Sequence, residues 1–233
     1  MKFIDLIGGN NMNKITKLLV GVMVMAFTSS ALAVDFSGTV GYANDYIWRG
    51  MSKSNGERIF TGSATLSLDN GLYTKATFYN GVDFPSATAE ENELDYTVGF
   101  NTDLTDKLSL DVGWSRHTYV SDDDYSVNEM HGSLGYGPAN VTVFRIVGED
   151  TDAAAYIVGD VSITDILNID NVPVNISAFY GTQLAVEDDG ERVNDFGVIA
   201  SKSFRDRFNV AYKYSYWDVT EEGTHSVGVN IVF

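Results

Sequence analysis

Charged and ionisable side chains recur along this chain at positions that alternate with apolar ones. If they face a water-filled interior, such side chains set ion preference through rings of charge. The alternative is a network of internal ion pairs that fills and braces a narrow interior. Both roles require the side chains to share one face, and elements of period two place alternate residues on one face. The candidates are Asp45, Arg49, Lys75, Glu93, Asp95, Asp111, Glu129, His131, Asp195 and Lys213.

Catalysis would need a base together with a nucleophile or an orienting acid. His117 near Ser115 and Asp122, or His225 near Glu222, would supply such a pair. The chain has only three His, and in a sequence rich in Ser and Asp such near pairs arise by chance. The stretch DDDYSVNE resembles an EF-hand loop but lacks the Gly at its sixth position and the Glu at its twelfth. We therefore expect no enzyme activity, no cofactor and no metal.

The elements that would position these side chains are β-strands. In KLSLDVGWS, apolar Leu108, Leu110, Val112 and Trp114 alternate with small or polar residues, which is the period of a strand with two different faces. Twelve segments show this character, near 36–48, 58–69, 72–83, 93–102, 107–120, 125–136, 140–149, 153–163, 173–186, 194–204, 207–218 and 224–233.

The residues that alternate with the apolar ones, which we call the polar row, distinguish a soluble barrel or sandwich from a membrane barrel. A soluble surface carries many Lys and Glu on its strands, but here the row is mostly Gly, Ser, Thr and Ala, and the charges gather in the connections. We predict an all-β fold: a transmembrane antiparallel up-and-down β-barrel of about 12 strands, with its apolar row towards lipid. Aromatics towards strand ends, among them Tyr46, Trp48, Tyr73 and Tyr119, are predicted to form interfacial girdles.

Acidic residues cluster in the longer connections, which regular hairpins send to one side. There they would surround the outer mouth, where their field favours cations. Binding of lipopolysaccharide through divalent ions and a solvated, repulsive surface are the alternatives. The acids are Asp122, Asp123, Asp124, Glu149, Asp150, Asp152, Glu187, Asp188 and Asp189, with Glu221 and Glu222 in the last connection.

The N-terminal segment predicts export. Lys14 and Lys17 precede ten apolar residues and the small-residue sequence TSSALA, which is the three-part pattern of a secretory signal peptide. We predict a signal peptide at residues 1–33, with translation starting at Met12, and a single barrel domain at 34–233. The predicted mature chain has a formal charge of −19, which opposes general binding to nucleic acid. With no Cys, it is stable without disulfides.

Two stretches resemble known families. The terminal SVGVNIVF is similar to the recognition signal of outer-membrane proteins, with Ser226, Gly228, Ile231 and Phe233 at its defining positions. This resemblance implies handling by the outer-membrane assembly machinery of a Gram-negative bacterium, and contact with outer-membrane lipid and lipopolysaccharide.

The first hairpin resembles the TorF-type porin family, also described as a Gcw_chp domain. The matching residues are Gly41, Tyr42, Asp45, Tyr46, Arg49, Gly50, Ser52, Ser54, Gly71, Tyr73, Val82 and Phe84, and the departures are Asn44, Trp48 and Gly81. The resemblance implies a porin. We therefore expect passive diffusion of small, cationic or neutral solutes; a closed structural or adhesive barrel and an outer-membrane hydrolase are the alternatives. The sequence leaves the oligomeric state open.

Overall fold

Strands with the predicted alternation form one closed antiparallel barrel in a computed structural model. The structure describes residues 33–82, 91–119, 126–148, 155–167, 173–184, 192–205 and 207–233. The barrel strands are β1 (Val34–Ala43), β4 (Ile59–Leu68), β5 (Leu72–Val82), β6 (Glu91–Asp103), β7 (Leu108–Tyr119), β8 (Val127–Tyr136), β9 (Ala139–Val147), β10 (Ala155–Ser162), β11 (Asn175–Gln183), β12 (Val193–Phe204), β13 (Phe208–Trp217) and β14 (Glu222–Val232). The hairpin of β2 (Ile47–Trp48) and β3 (Met51–Ser52) and the short helix α1 (Ile163–Ile166) complete the described elements.

The twelve barrel strands pair in chain order, and β14 pairs with β1 to close the sheet. The predicted fold, an all-β closed antiparallel barrel of twelve strands, is therefore confirmed. At the seam, Thr39 pairs with Val232 and Ala43 with Gly228. Beyond the last paired residues, Gly38 N donates to Phe233 O at 2.8 Å and Phe233 N to Gly38 O at 3.0 Å. Of the residues predicted as an assembly signal, Ser226, Gly228 and Ile231 thus belong to the closing strand and Phe233 follows it directly, while their role as a signal stays a prediction.

The two faces of the barrel have the polarity expected of a membrane barrel and opposite to that of a soluble one. On the outside, the side chains of Val112, Met130 and Val143 are 41%, 53% and 42% exposed. On the inside, Glu129 and Thr142 are buried. Because successive strand residues point to opposite faces, the period-two alternation of the sequence produces this arrangement directly. Within the described residues, no helix is both long and apolar enough to cross a bilayer.

The connections divide into two groups at opposite ends of the barrel. One end, which we call the terminal end, carries the start of β1, the end of β14 and mostly tight turns, such as those at 69–71 and 137–138. The other end, the loop end, carries the longer connections. Residues 1–32 of the predicted signal peptide (1–33) lie outside the described residues, as do the mouth acids Asp122–Asp124, Glu149, Asp150, Asp152 and Glu187–Asp189. The strands flanking those acids end at the loop end.

The first connection differs from a simple outer loop. We predicted a strand from residue 36 to 48, but β1 ends at Ala43, and the chain re-enters the barrel before β4 begins. We call residues 44–58 L1. Inside L1, Trp48 pairs with Met51 across a two-residue turn in which Arg49 and Gly50 both have positive φ, 48° and 85°. Paired positive φ values are those of a type I′ hairpin turn, which favours glycine.

Candidate functional site

L1 begins beside the closing strand and is fixed there by hydrogen bonds. The backbone N–H of Val227 donates to Asn44 Oδ1 at 2.5 Å, and Ser226 Oγ donates to the Asp45 carbonyl at 2.7 Å. The Lys213 ammonium on β13 donates to the Ile47 carbonyl at 3.3 Å. These contacts direct L1 into the lumen instead of away from it.

The tip of the L1 hairpin reaches the opposite wall. The Arg49 guanidinium forms an ion pair with Glu129 on β8. Its central carbon lies 5.0 Å from the ring centre of Phe144 on β9 and 4.7 Å from that of Tyr156 on β10. In the strand order, β8 lies six strands from β14 in either direction. L1 therefore spans the full width of the lumen.

A second ion pair fixes the returning half of L1. The Lys53 ammonium lies 3.1 and 2.9 Å from the two carboxylate oxygens of Glu93 on β6, and 3.0 Å from the Tyr119 hydroxyl on β7. Lys53 is 4% exposed and Glu93 is 1% exposed. Buried charges require partners of this kind, because an unpaired charge out of water is strongly destabilising.

Hydrogen bonds within L1 give it a defined shape of its own. Asp45 Oδ1 accepts from the hydroxyls of Ser52 at 2.6 Å and Ser54 at 2.8 Å. Ser54 Oγ in turn accepts from the backbone N–H of Tyr46 at 2.9 Å, and the Lys53 N–H donates to the Tyr46 carbonyl at 2.7 Å. These bonds join the two halves of the loop, so L1 is a compact unit that contacts the walls through a few side chains.

A cavity of about 750 Å³ lies between L1 and the terminal end of the barrel. Tyr46, Ile47, Trp48 and Arg49 of L1 line one side of it, and strand residues line the rest. Five carboxylates and three cationic side chains face it, so its formal charge is negative when the histidines are neutral. The carboxylates are Asp95, Asp111, Glu129, Asp160 and Asp195, and the cations are Arg49, Lys75 and Lys213.

Neighbouring donors hold the cavity carboxylates in place. On one wall, Asp111 Oδ1 lies 2.7 Å from His131 Nε2 and accepts from the Tyr73 hydroxyl at 3.0 Å. On another wall, the Tyr156 hydroxyl donates to Asp195 Oδ1 at 2.8 Å. These donors orient the carboxylates, and the five carboxylates outnumber the three Arg and Lys side chains around the cavity.

The structure places the predicted interior residues in two groups. Eight line the cavity, namely Arg49, Lys75, Asp95, Asp111, Glu129, His131, Asp195 and Lys213. Asp45 and Glu93 are buried instead in the contacts of L1, 4% and 1% exposed. Asp45 and Arg49 also belong to L1 and not, as predicted, to the first barrel strand. Their roles in ion preference stay predictions.

Several residues of the site escaped prediction from the sequence. Lys53 lies in the connection between the predicted strands 36–48 and 58–69, yet it is buried in the lumen. Tyr46, Trp48 and Tyr73 line the cavity and Tyr119 contacts Lys53, so their assignment to interfacial girdles is wrong. Tyr73 and Tyr119 could have been assigned to the lumen from the sequence. Each lies two residues from an ionisable residue on the same strand, Lys75 and His117, and therefore on the same face.

The pairs considered for catalysis do not form among the described residues. Ser115 Oγ is hydrogen-bonded to Thr97 Oγ1 at 2.9 Å, while His117 Nδ1 lies 2.9 Å from Asp95. His225 Nδ1 contacts the Tyr212 hydroxyl at 2.6 Å on the outer face. Glu93, Asp95 and His117 offer ligand atoms within 4.8 Å of one another, but Glu93 is already bound by Lys53. An internal ion network explains this cluster.

Comparison with known proteins agrees with the fold. A family model described as a bacterial protein of unknown function (Gcw_chp) matches residues 28–232. The chain belongs to the Gcw_chp family. The resemblance drawn from the first hairpin is thus confirmed for Gcw_chp, and the TorF-type designation stays a prediction. No curated protein matches this Gcw_chp chain in sequence.

Two solved structures share the architecture of this Gcw_chp barrel. The KdgM porin superposes with a TM-score of 0.56 at 10% identity, covering 84% of this chain and 99% of that one. The NanC porin gives a TM-score of 0.51 at 10% identity, covering 85% of this chain and 98% of that one. At such low identity, the similarity concerns the fold.

Proposed function

We propose that this Gcw_chp protein is an outer-membrane channel for passive diffusion of small neutral or cationic solutes. The observation that carries the proposal is the polarity of the barrel, which is apolar and exposed outside and polar and charged around an internal cavity. Strands satisfy their backbone groups in a bilayer only when the sheet is closed, as it is here. The shared fold with the KdgM and NanC porins supports the same assignment.

The proposal includes the topology and the partners. The predicted signal peptide would direct export, and both chain termini would face the periplasm, with the longer connections outside. The outer-membrane assembly machinery would insert the barrel by recognising its closing strand. Outer-membrane lipid and lipopolysaccharide would then surround the apolar exterior.

The charge of the cavity favours cations over anions. One of the compared structures is described as the KdgM porin in complex with disordered oligogalacturonate, an acidic oligosaccharide. In this chain, carboxylates outnumber cationic side chains around the cavity, so the field attracts the opposite sign. Small cations and neutral solutes are therefore the class proposed here.

A closed structural barrel is the second candidate. It is favoured by L1, which crosses the lumen and buries its charged groups against several strands. If L1 were a permanent part of the wall, the cavity would be a vestibule with no through path. Conductance decides between the two candidates, because a closed barrel would insert into bilayers without passing ions.

The first prediction concerns ion preference. In planar bilayers, the folded protein should pass K⁺ in preference to Cl⁻. Asp111→Asn combined with Asp160→Asn should lower the permeability ratio by about twofold, because two negative charges leave the cavity wall. The reversal potential under a KCl gradient measures this ratio.

A matched control removes one charge outside the lumen. Asp106 lies exposed in the turn between β6 and β7, so Asp106→Asn should leave the ratio close to that of the unmodified protein. An unselective channel that is unaffected by the double substitution would contradict the charge argument. Absence of conductance both here and after removal of L1 would favour the closed structural barrel.

A further inference from the structure

We infer that L1 is a removable plug, held across the lumen by the buried Lys53–Glu93 and Arg49–Glu129 ion pairs, and that the lumen conducts when these pairs open. The inference rests on the proposed channel function and adds a gating device to it.

The contacts of L1 occlude the lumen on almost every side. Tyr46 stacks on Tyr79 of β5, with ring centres 4.7 Å apart and an interplanar angle of 7°. A Cβ atom at Gly50 would lie 2.7 Å from Cβ of Asp195 on β12, so the hairpin turn has no free space on that wall. Together with the contacts to β6 through β10 and to β13 and β14, these bring L1 against nine of the twelve barrel strands.

The character of these contacts makes the plug removable. An apolar plug would lose hydrophobic stabilisation on leaving the lumen. L1 differs, because it contributes charged groups to the lumen and Ile47 is the one buried apolar side chain within 44–58. Charged groups regain hydration when a pair opens, so a buried ion pair adds little net stability over its hydrated, separated partners. The docked and undocked states of L1 are therefore close enough in free energy for the loop to exchange between them.

The geometry also supplies a hinge. Residues 55–58, which connect the tip of L1 to β4, are exposed, and a Cβ at Gly56 would meet no atom within 4 Å. The hydrogen bonds of Asp45 with Ser52 and Ser54 hold the hairpin together. L1 can thus leave the wall of β6 to β10 as one unit, turning on its exposed arm and on its attachment beside β14.

The test measures exposure of L1 directly. Because the chain has no Cys, Ile47→Cys provides a single thiol at a position that is 8% exposed in the docked loop, and it keeps the Ser52 and Ser54 hydroxyls that hold the hairpin together. Its reaction rate with a membrane-impermeant maleimide, in the folded protein reconstituted in liposomes, reports the undocked fraction. Adding Lys53→Met leaves Glu93 buried without its ammonium partner, and should raise that rate on the order of a hundredfold.

Lys75→Met in the same Ile47→Cys background is the matched control. Lys75 also faces the cavity, but it lies on β5 four residues from Tyr79, on which Tyr46 of L1 stacks, so its loss changes the lumen charge equally and should leave the labelling rate unchanged. Glu129→Gln, which weakens the other ion pair at constant size, should raise the rate as Lys53→Met does. Heat-modifiable electrophoretic mobility verifies that each variant is folded.

Each outcome separates the plug from the channel. Faster labelling together with more frequent single-channel openings for Lys53→Met and Glu129→Gln supports both. Labelling rates equal to that of Lys75→Met would overturn the plug, whether or not the barrel conducts. Faster labelling without conductance in any variant would retain the mobile loop and reject the proposed channel function.

Discussion

Replacing residues 44–58 by Asn-Gly should raise the single-channel conductance by about an order of magnitude, since barrels of this size lie between side-chain-filled eight-stranded ones and open sixteen-stranded ones. L1 is the material that fills this lumen across its width. Ala43 and Ile59 are paired across β1 and β4, so a two-residue type I′ turn can join them without altering the register.

The shortened barrel should still fold. Its strand pairing is unchanged, and Glu93 and Glu129 face water once L1 is absent, so neither carboxylate is left buried without a partner. Planar-bilayer recording measures the conductance, and liposome swelling measures entry of small neutral sugars. Glu57→Gln, a change on the exposed arm of the same loop, is the control and should leave both unchanged. Equal conductance with and without residues 44–58 would mean that L1 lies outside the conducting path.

Val229→Pro should prevent stable closure of the barrel. Val229 lies in β14 and pairs with Tyr42 on β1 and with Val210 on β13. With strands on both sides, its N–H belongs to a ladder. Proline removes that donor and leaves the partner carbonyl without its hydrogen bond, which costs about 1–3 kcal/mol. In a barrel, this loss also opens the edge that closure had removed.

Val229→Ala provides the comparison for this variant, because it shortens the same outward side chain but keeps the N–H. The fraction that migrates as the compact, heat-modifiable form, and the urea midpoint of unfolding in detergent or lipid, should be near normal for Val229→Ala and much lower for Val229→Pro. Equal values for the two variants would show that the seam tolerates a lost ladder bond and that closure depends on other contacts.

The barrel could be predicted from the sequence because its determinants are local. Alternation within each segment fixes which side chains face the lumen, and Asp111 and Lys213, which have the inward parity, line the cavity. The course of L1 could not be predicted in this way. The aromatic residues Tyr42, Tyr46 and Trp48 stay on even-numbered positions past the end of β1, as they would in one continuous strand. Such a local pattern does not indicate whether a residue pairs with a neighbouring strand or within its own hairpin.

The contacts that hold L1 are also distant in sequence. Lys53 meets Glu93 forty residues later and Tyr119 sixty-six residues later, and nothing in MSKSNGE distinguishes a buried lysine from a hydrated one. The alternation within β5 and β7 puts Tyr73 and Tyr119 on the lumen face. We assigned them to the membrane interface instead, because they are aromatic and lie near strand ends. The mouth acids at 122–124, 149–152 and 187–189 stay a prediction.

The long reach of L1 sets an order of events during maturation. Arg49 meets Glu129 eighty residues later, and Asp45 meets Ser226 after 181 residues. Contacts so far apart in the chain form late, because loop closure opposes them until the intervening strands are in place. L1, which belongs to the first hairpin of the chain, therefore keeps its charged tip hydrated until the last hairpin, β13 and β14, has formed. Closure of the sheet and burial of the charged side chains of L1 therefore occur together, as the last step of folding.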